Sequence, residues 1–120
     1  MLQIENKIDI PEGWEGKYYP TYISEGYWIE NINEFGVRYV DKSGNEIRFS
    51  EMPYGRRKGV DTEDALISNA TLNGIEVMVV EKNERTSIIW NADDRYFVVE
   101  VHEGREMALR IAASVSLIDR

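Results

Sequence analysis

Between residues 27 and 102 the sequence consists of short stretches in which apolar and polar residues alternate, and turn-forming residues separate the stretches. Alternation with a period of two is typical of β-strands, because successive side chains point to opposite faces of a sheet. Asn73-Gly74 lies between two such stretches, and this dipeptide is the strongest short-range signal for a two-residue hairpin. The expected strands are 27–33, 35–40, 47–50, 65–72, 75–82, 85–91 and 95–102.

The last of these stretches is apolar on both of its faces, with Phe97, Val99 and Val101 on one side and Tyr96 and Val98 on the other. A strand of this kind is expected at the centre of a sheet, with another element covering one side. The segment from Glu106 onward is suited to cover it, because its apolar residues recur at helical spacing. These residues are Met107, Ala108, Ile111, Ala112 and Val115.

We therefore expect residues 1–120 to form a single α+β domain. Its two layers would be an antiparallel β meander of six to seven strands and one C-terminal α-helix packed against it. The longest loop is expected at residues 52–64, which contain a proline, two glycines and no periodicity.

Composition limits the classes of partner and cofactor. Hydrophobic residues make up 42% of the 120-residue chain, which is enough for one core without metal or disulfide support. The formal net charge is −8, so nucleic acid and anionic membrane surfaces are poor partners. The absence of cysteine excludes thiolate metal ligation and thiol catalysis. No stretch reaches the roughly 18 apolar residues of a membrane span, so membrane attachment would need a tether outside this chain.

The aromatic segment 18–28, YYPTYISEGYW, precedes the first expected strand. Pro20 restricts the backbone at the start of the fold. Gly26 permits a turn conformation that is unfavourable for other residues. We interpret the aromatic side chains as anchors of the first strand to the core, and an aromatic binding surface is the alternative.

The loop at residues 52–64 contains the one basic cluster of this acidic chain, YGRRKG. Guanidinium and ammonium groups bind a phosphate, a carboxylate or an acidic partner strand. A solvated loop without a ligand is the plainer interpretation. The candidate partner-binding residues are Tyr54, Arg56, Arg57 and Lys58.

A second candidate site is an apolar pocket lined by Trp28, Met78 and Trp90. Tryptophan in a small sheet protein more often packs in the core or at its rim, with the indole N–H hydrogen-bonded. The pocket hypothesis requires a cavity of several hundred cubic ångströms between sheet and helix.

Acidic residues near the single histidine are a third candidate. Glu100 and His102 share a strand face in EVHE, and Glu103 follows, but zinc sites usually show a clearer ligand set. The acids of DTED (61–64) and ADD (92–94) lie in turns, where Asp normally bonds nearby backbone amides. We therefore expect no metal site, no cofactor and no catalytic residues.

The chain resembles the bacterial family of unknown function DUF4367. Family members carry P-x-Y-I-P-E-G-Y before the first strand, and this sequence has Ser24 in place of the second proline. Further similarity lies in YVDKSGNEIRFSE, DTEDALISNATLNGIEVMVVEK, SIIWNADDRYFVVEV and EMALRIAASV, so it extends over about residues 11–116.

The resemblance implies a context for the domain and no reaction. Family members often lie outside the cytoplasmic membrane after one transmembrane helix. This implies a non-enzymatic, extracytoplasmic interaction or sensing domain whose partner is a protein or a small ligand. The alternative function is a carrier of a small apolar ligand or lipid, and the composition alone fits a cytoplasmic location equally well.

Overall fold

The computed structural model describes residues 10–56, 62–102 and 104–118. They form nine strands, one α-helix and a short 3-10 turn at Tyr54–Arg56. The elements in chain order are β1 (Tyr18–Pro20), β2 (Trp28–Ile32), β3 (Gly36–Val40), β4 (Glu46–Pro53), β5 (Leu66–Leu72), β6 (Ile75–Lys82), β7 (Arg85–Ala92), β8 (Arg95–Val101), α1 (Arg105–Ala113) and β9 (Val115–Leu117).

Seven antiparallel strands form the main sheet in the order β2-β3-β4-β8-β7-β6-β5. Two meanders, β2-β3-β4 and β5-β6-β7-β8, join where β4 pairs with β8. The expected α+β class, with its antiparallel sheet and C-terminal helix, is confirmed. The strand that is apolar on both faces, β8, is the fourth of the seven and therefore lies at the centre, as its pattern predicted.

Three consecutive two-residue turns build the second meander. Both central residues have positive φ in Asn73-Gly74 (52° and 80°), Asn83-Glu84 (52° and 65°) and Asp93-Asp94 (53° and 62°). Positive φ at both positions defines the type I′ turn, whose twist matches that of antiparallel strands. Only the Asn-Gly turn carries the expected dipeptide, which explains why the register of the other two hairpins was less evident from sequence.

The sheet has two faces, and α1 covers one of them, hereafter the helix face. Trp90 stacks on Phe97, with ring centroids 5.0 Å apart and an interplanar angle of 13°, and Phe97 stacks on Phe49. Ala108 and Ile111 of α1 are fully buried in the same cluster. This face supplies most of the core, because residues from β3, β4, β6, β7 and β8 all reach it.

The opposite face, hereafter the outer face, holds a smaller apolar cluster and several charged side chains. The buried members are Met52, Val80, Ile89 and Tyr96, and Phe35, Ala65, Met78 and Val98 pack around them. The ring of Tyr54 meets Tyr96 edge-on at a centroid distance of 6.5 Å. The apolar residues found on both sides of the strands thus form two separate clusters.

β1 and β9 form a two-stranded ribbon, which was not predicted. The predicted helix extended to Val115, but α1 ends at Ala113 and Val115 begins β9. Ser114 explains the change, because its carbonyl and its Oγ both accept hydrogen bonds from the backbone N–H of Thr21. The predicted loop 52–64 also begins two residues too early, because Met52 and Pro53 belong to β4.

The aromatic segment 18–28 contributes to the core in part. Tyr19 is buried and its hydroxyl is hydrogen-bonded to that of Tyr39. Gly26 has a φ of +94°, as its predicted turn role requires. Trp28, in contrast, is 51% exposed on the edge strand β2. The anchoring interpretation therefore holds for Tyr19 and not for Trp28.

The carboxylate of Glu51 fastens the β1 region to the sheet. Its side chain is fully buried on β4 and accepts hydrogen bonds from the backbone N–H groups of Lys17 (3.0 Å) and Tyr18 (2.9 Å). Arg95 Nε also donates to it, at 2.8 Å. A Cβ on Gly16 would lie 2.6 Å from Glu51 Oε1 and 2.4 Å from the Trp14 ring, so the chain needs glycine there.

We expect Glu51→Ala to lower the free energy of unfolding by about 3–5 kcal/mol, because it leaves Arg95 and two amides without their buried acceptor. Urea denaturation followed by tryptophan fluorescence measures this loss. The control is Glu25→Ala at an exposed position, which should change the free energy by less than about 0.5 kcal/mol. Equal effects of the two substitutions would contradict the anchoring role of Glu51.

Candidate functional site

A groove of about 540 Å³ lies on the outer face, along β3 and β4. It is within the size range of small-molecule and peptide-anchor sites. Polar and apolar side chains both line it, and three of the lining residues are arginines. The lining residues are Asn31, Asn33, Phe35, Gly36, Val37, Arg38, Arg48, Phe49, Ser50, Met52 and Arg56.

Gly36 lies in the floor of the groove, where there is little room for a side chain. In β3 it pairs with Ser50 of β4. A Cβ at this position would lie 3.3 Å from the carbonyl oxygen of Phe49 and 3.4 Å from Ser50 Oγ. Both distances are shorter than ordinary van der Waals contact, so a larger residue at position 36 would have to displace β4 or the Ser50 side chain.

Phe35 and Arg56 form one wall. The Arg56 guanidinium carbon lies 5.6 Å from the centroid of the Phe35 ring, which is within cation–π range. Phe35 also packs against the apolar cluster of the outer face, so the wall is supported from below. Phe35 is held in place by its backbone as well, because its carbonyl accepts from Glu51 N and its N–H donates to Asn33 Oδ1.

Arg38 and Arg48 form the opposite wall, and a buried carboxylate orients them. Glu46 accepts hydrogen bonds from Arg38 Nε and, at 3.0 Å, from Arg48 Nε. Arg38 also pairs with Glu30 of β2. The Arg48 side chain is 52% exposed, so most of its guanidinium faces solvent while one edge is fixed.

Two opposing influences set the pKa of Glu46. Burial raises it, but the hydrogen bonds and charges of Arg38 and Arg48 outweigh burial and hold the pKa below its ordinary value. Nε2 of His102 is 3.3 Å from Glu46 Oε1, although the two do not form a hydrogen bond in this geometry. Glu46 is therefore ionised at neutral pH and keeps both guanidinium groups in position.

No carboxylate lines the groove among the described residues, although the chain contains 22 acidic residues against 14 basic ones. Arg38 and Arg48 pair with Glu46, and Arg38 also pairs with Glu30, whereas Arg56 has no part in these ion pairs. The groove thus keeps a positive charge on an acidic protein. Planar guanidinium forks, carboxamides and a hydroxyl are the donors that bind a carboxylate.

The structure places part of the predicted basic loop beside this groove. Arg56 lines it, and Tyr54 lies on the neighbouring 3-10 turn with its N–H bonded to the carbonyl of Asp94. Arg57 and Lys58 lie outside the described residues. Sequence reasoning missed Arg38 and Arg48. Their signal was available, because both alternate with buried residues on paired strands and so share one face.

The structure does not bring Trp28, Met78 and Trp90 together. Trp90 belongs to the helix-face core, Met78 packs on the outer face, and Trp28 lies on the edge strand at the far side of β8. A pocket beside Trp90 and Ala112 has a volume of about 50 Å³, which is far below that of a lipid-sized site.

The acidic candidates lie at opposite ends of β8. Glu100 is paired with Arg85 at 3.0 Å, and His102 faces Glu46. Asp93 accepts a hydrogen bond from the Tyr18 hydroxyl, which raises the pKa of Tyr18 to about 12. About 20 Å of strand separates the two ends. Glu103 and Asp61 are outside the described residues, and within the described ranges no three His, Asp or Glu side chains gather as metal ligands.

The structure is a two-layer α+β domain with an arginine-lined groove on the outer face of its sheet. Residues 17–115 match the family model described as Domain of unknown function (DUF4367). This match covers most of the 120 residues, so the chain belongs to the DUF4367 family, as its sequence indicated. No curated protein matches the chain significantly. None of the helical segments in the described part of the chain has the length and apolar character of a membrane span.

We expect Glu46 to contribute to stability above pH 4.5, its ordinary pKa, and to lose that contribution as the pH falls through its lower folded-state pKa. The difference in unfolding free energy between the native protein and Glu46→Gln should therefore shrink on acidification. Urea denaturation between about pH 6 and pH 3 measures it, with Glu25→Gln as the exposed control. A difference independent of pH would contradict the assigned role.

Proposed function

We propose that this domain is a non-enzymatic interaction or sensing domain that binds a carboxylate-bearing segment of a partner protein in the arginine-lined groove. One observation carries the proposal. Among the described residues, the groove on the outer face combines three arginines with no lining carboxylate, in a chain whose net charge is −8. A positive concavity on an acidic surface is a local attraction for an anion that the rest of the molecule repels.

The mixed lining favours a peptide carboxylate over a phosphate-rich ligand. Phe35 and Met52 offer apolar contact next to the guanidinium groups, which suits an acidic residue with an apolar neighbour. A polyphosphate gains little from these apolar groups and is repelled by the overall charge. The fixed orientation of Arg48 adds affinity, because a donor held in place by Glu46 loses less conformational entropy on binding.

We also propose that the domain is displayed outside the cytoplasmic membrane by a membrane-anchored parent protein. The support is the family context that the sequence resemblance implies. The experiment is a protease-accessibility assay on intact cells that express the full-length gene product with an epitope in this domain. Protection of the epitope in intact cells, with cleavage only after lysis, would contradict the location.

The groove predicts a charge-dependent selection of peptides. Acidic peptides on an array, each beside its Asn or Gln counterpart, should bind the domain in preference to the neutral versions, because only carboxylates pair with the arginines. Fluorescence anisotropy with the best acidic peptide then gives a Kd. We expect Arg56→Glu to raise that Kd by about 10-fold or more, the effect of about 1.5 kcal/mol from one charge-assisted contact.

The matched control is Lys42→Glu, which makes the same charge change in the exposed β3–β4 turn. Its Kd should stay within about twofold of the native value. Arg56 lies outside the Glu46 pairs, so its substitution leaves that network intact. The proposal is wrong if acidic and neutral peptides bind alike, or if the two substitutions weaken binding equally.

A further inference from the structure

The β5 edge of the main sheet is long, uncharged and unpaired among the described residues. β5 is the last strand in the sheet order, and its only described partner is β6. Its seven residues, LISNATL, include no charged residue and no proline. Leu66 and Ile67 are 67% and 48% exposed. Proteins normally protect such an edge with charges, proline, a bulge or a cover.

The opposite edge of the same sheet carries that protection. β2 has only five residues, an irregular register between Ile29 and Asn31, and a charged residue, Glu30, at the irregularity. A bulge and an edge charge both prevent the addition of another strand. The β2 edge is therefore protected against the addition of another strand by a bulge and a charge, and the β5 strand contains neither.

The register of the β5–β6 hairpin identifies the backbone groups that face outward. Leu72 pairs with Ile75 across the two-residue turn, and the pair that closes such a turn is hydrogen-bonded. Every second residue before Leu72 then also bonds to β6. The alternate residues, Ile67, Asn69 and Thr71, direct their N–H and C=O groups away from β6.

We propose that two copies of this chain pair through β5, antiparallel, about a two-fold axis at Asn69. Asn69 then lies opposite its counterpart, and Ile67 lies opposite Thr71 of the other copy. All three outward-facing residues find partners, because their spacing is symmetric about Asn69. The pairing forms six main-chain hydrogen bonds and one continuous sheet of fourteen strands.

Side chains on the helix face fit the same pairing. Leu66 lies opposite Leu72 of the second copy, and Ser68 lies opposite Ala70. Leu66, the most exposed large apolar residue in the described part of the chain, thus meets another leucine at each end of the interface. Cross-strand apolar pairs of this kind stabilise antiparallel sheets.

Local charge does not oppose a second copy at this edge, although each chain carries a net charge of −8. In this register Asp64, just before β5, lies beside Gly74 of the uncharged Asn-Gly turn of the other copy. The acidic residues of the two chains are therefore not opposed at the ends, and β5 itself has no charge to repel its counterpart. A strand from a different protein would pair equally well only if it had apolar residues opposite Leu66 and Leu72 and uncharged residues opposite the centre of β5.

The dimer does not depend on the proposed peptide site, but it would place two such sites on one surface. Residues directly opposite in an antiparallel pair lie on the same face, so both outer faces point to the same side. The grooves lie along β3 and β4, on the far side of β8 from the new interface, and stay accessible. Two sites held together increase avidity for a repeated or clustered ligand.

Sedimentation equilibrium of the purified chain tests the pairing. We expect a reversible monomer–dimer equilibrium for the native protein. Asn69→Lys should shift the dimer Kd upward by about 10-fold or more, because two like charges then lie directly opposite. Asn69→Glu should do the same, and an equimolar mixture of the two variants should recover a heterodimer.

Asn91→Lys is the matched control, since Asn91 is exposed on an interior strand and its substitution makes the same charge change. It should leave the equilibrium unchanged. Hydrogen exchange supplies a readout without substitution: the amides of Ile67, Asn69 and Thr71 should exchange faster on dilution. A monomer at all concentrations, or a dimer that neither Asn69 substitution weakens, overturns the proposal.

Discussion

The hydrogen bonds of the buried Glu51 carboxylate hold the N-terminal segment against the sheet, and the rest of the fold depends on them. The carboxylate accepts hydrogen bonds from the backbone N–H groups of Lys17 and Tyr18 and from Arg95 Nε. Its side chain is fully buried. A buried charge is stable only when nearby donors replace its hydration. Its removal takes away three of the hydrogen bonds that hold the segment before β1 and Arg95 in place. β1 also places Tyr19 in the core, where its hydroxyl is hydrogen-bonded to that of Tyr39.

The two faces of the sheet, which share the central strand β8, are packed differently. On the helix face, large rings and the small residues of α1 close a core, as in the contact between Trp90 and Phe97. On the outer face the apolar cluster is too small to cover every strand, and ion pairs occupy the rest. The groove forms where these two kinds of surface meet, so it offers both guanidinium groups and an aromatic ring.

The residues that stabilise this part of the sheet also form the proposed recognition site. Glu46 lowers the cost of placing two arginines close together, and the same contacts keep those arginines in one orientation. The β5 edge and the groove lie in different parts of the sheet, so the proposed dimer contact and the proposed ligand contact do not compete for surface.

The sequence by itself determined the seven strands of the main sheet, their antiparallel hairpins, the central strand and the C-terminal helix. Alternation, the Asn73-Gly74 turn and helical spacing are local properties, so they can be read from neighbouring residues. Only the tertiary structure decided that β4 pairs with β8, that β9 returns to β1, and that Arg38, Arg48 and Arg56 meet in one groove. These contacts join residues distant along the chain, and their free energy depends on burial and geometry that no local pattern specifies.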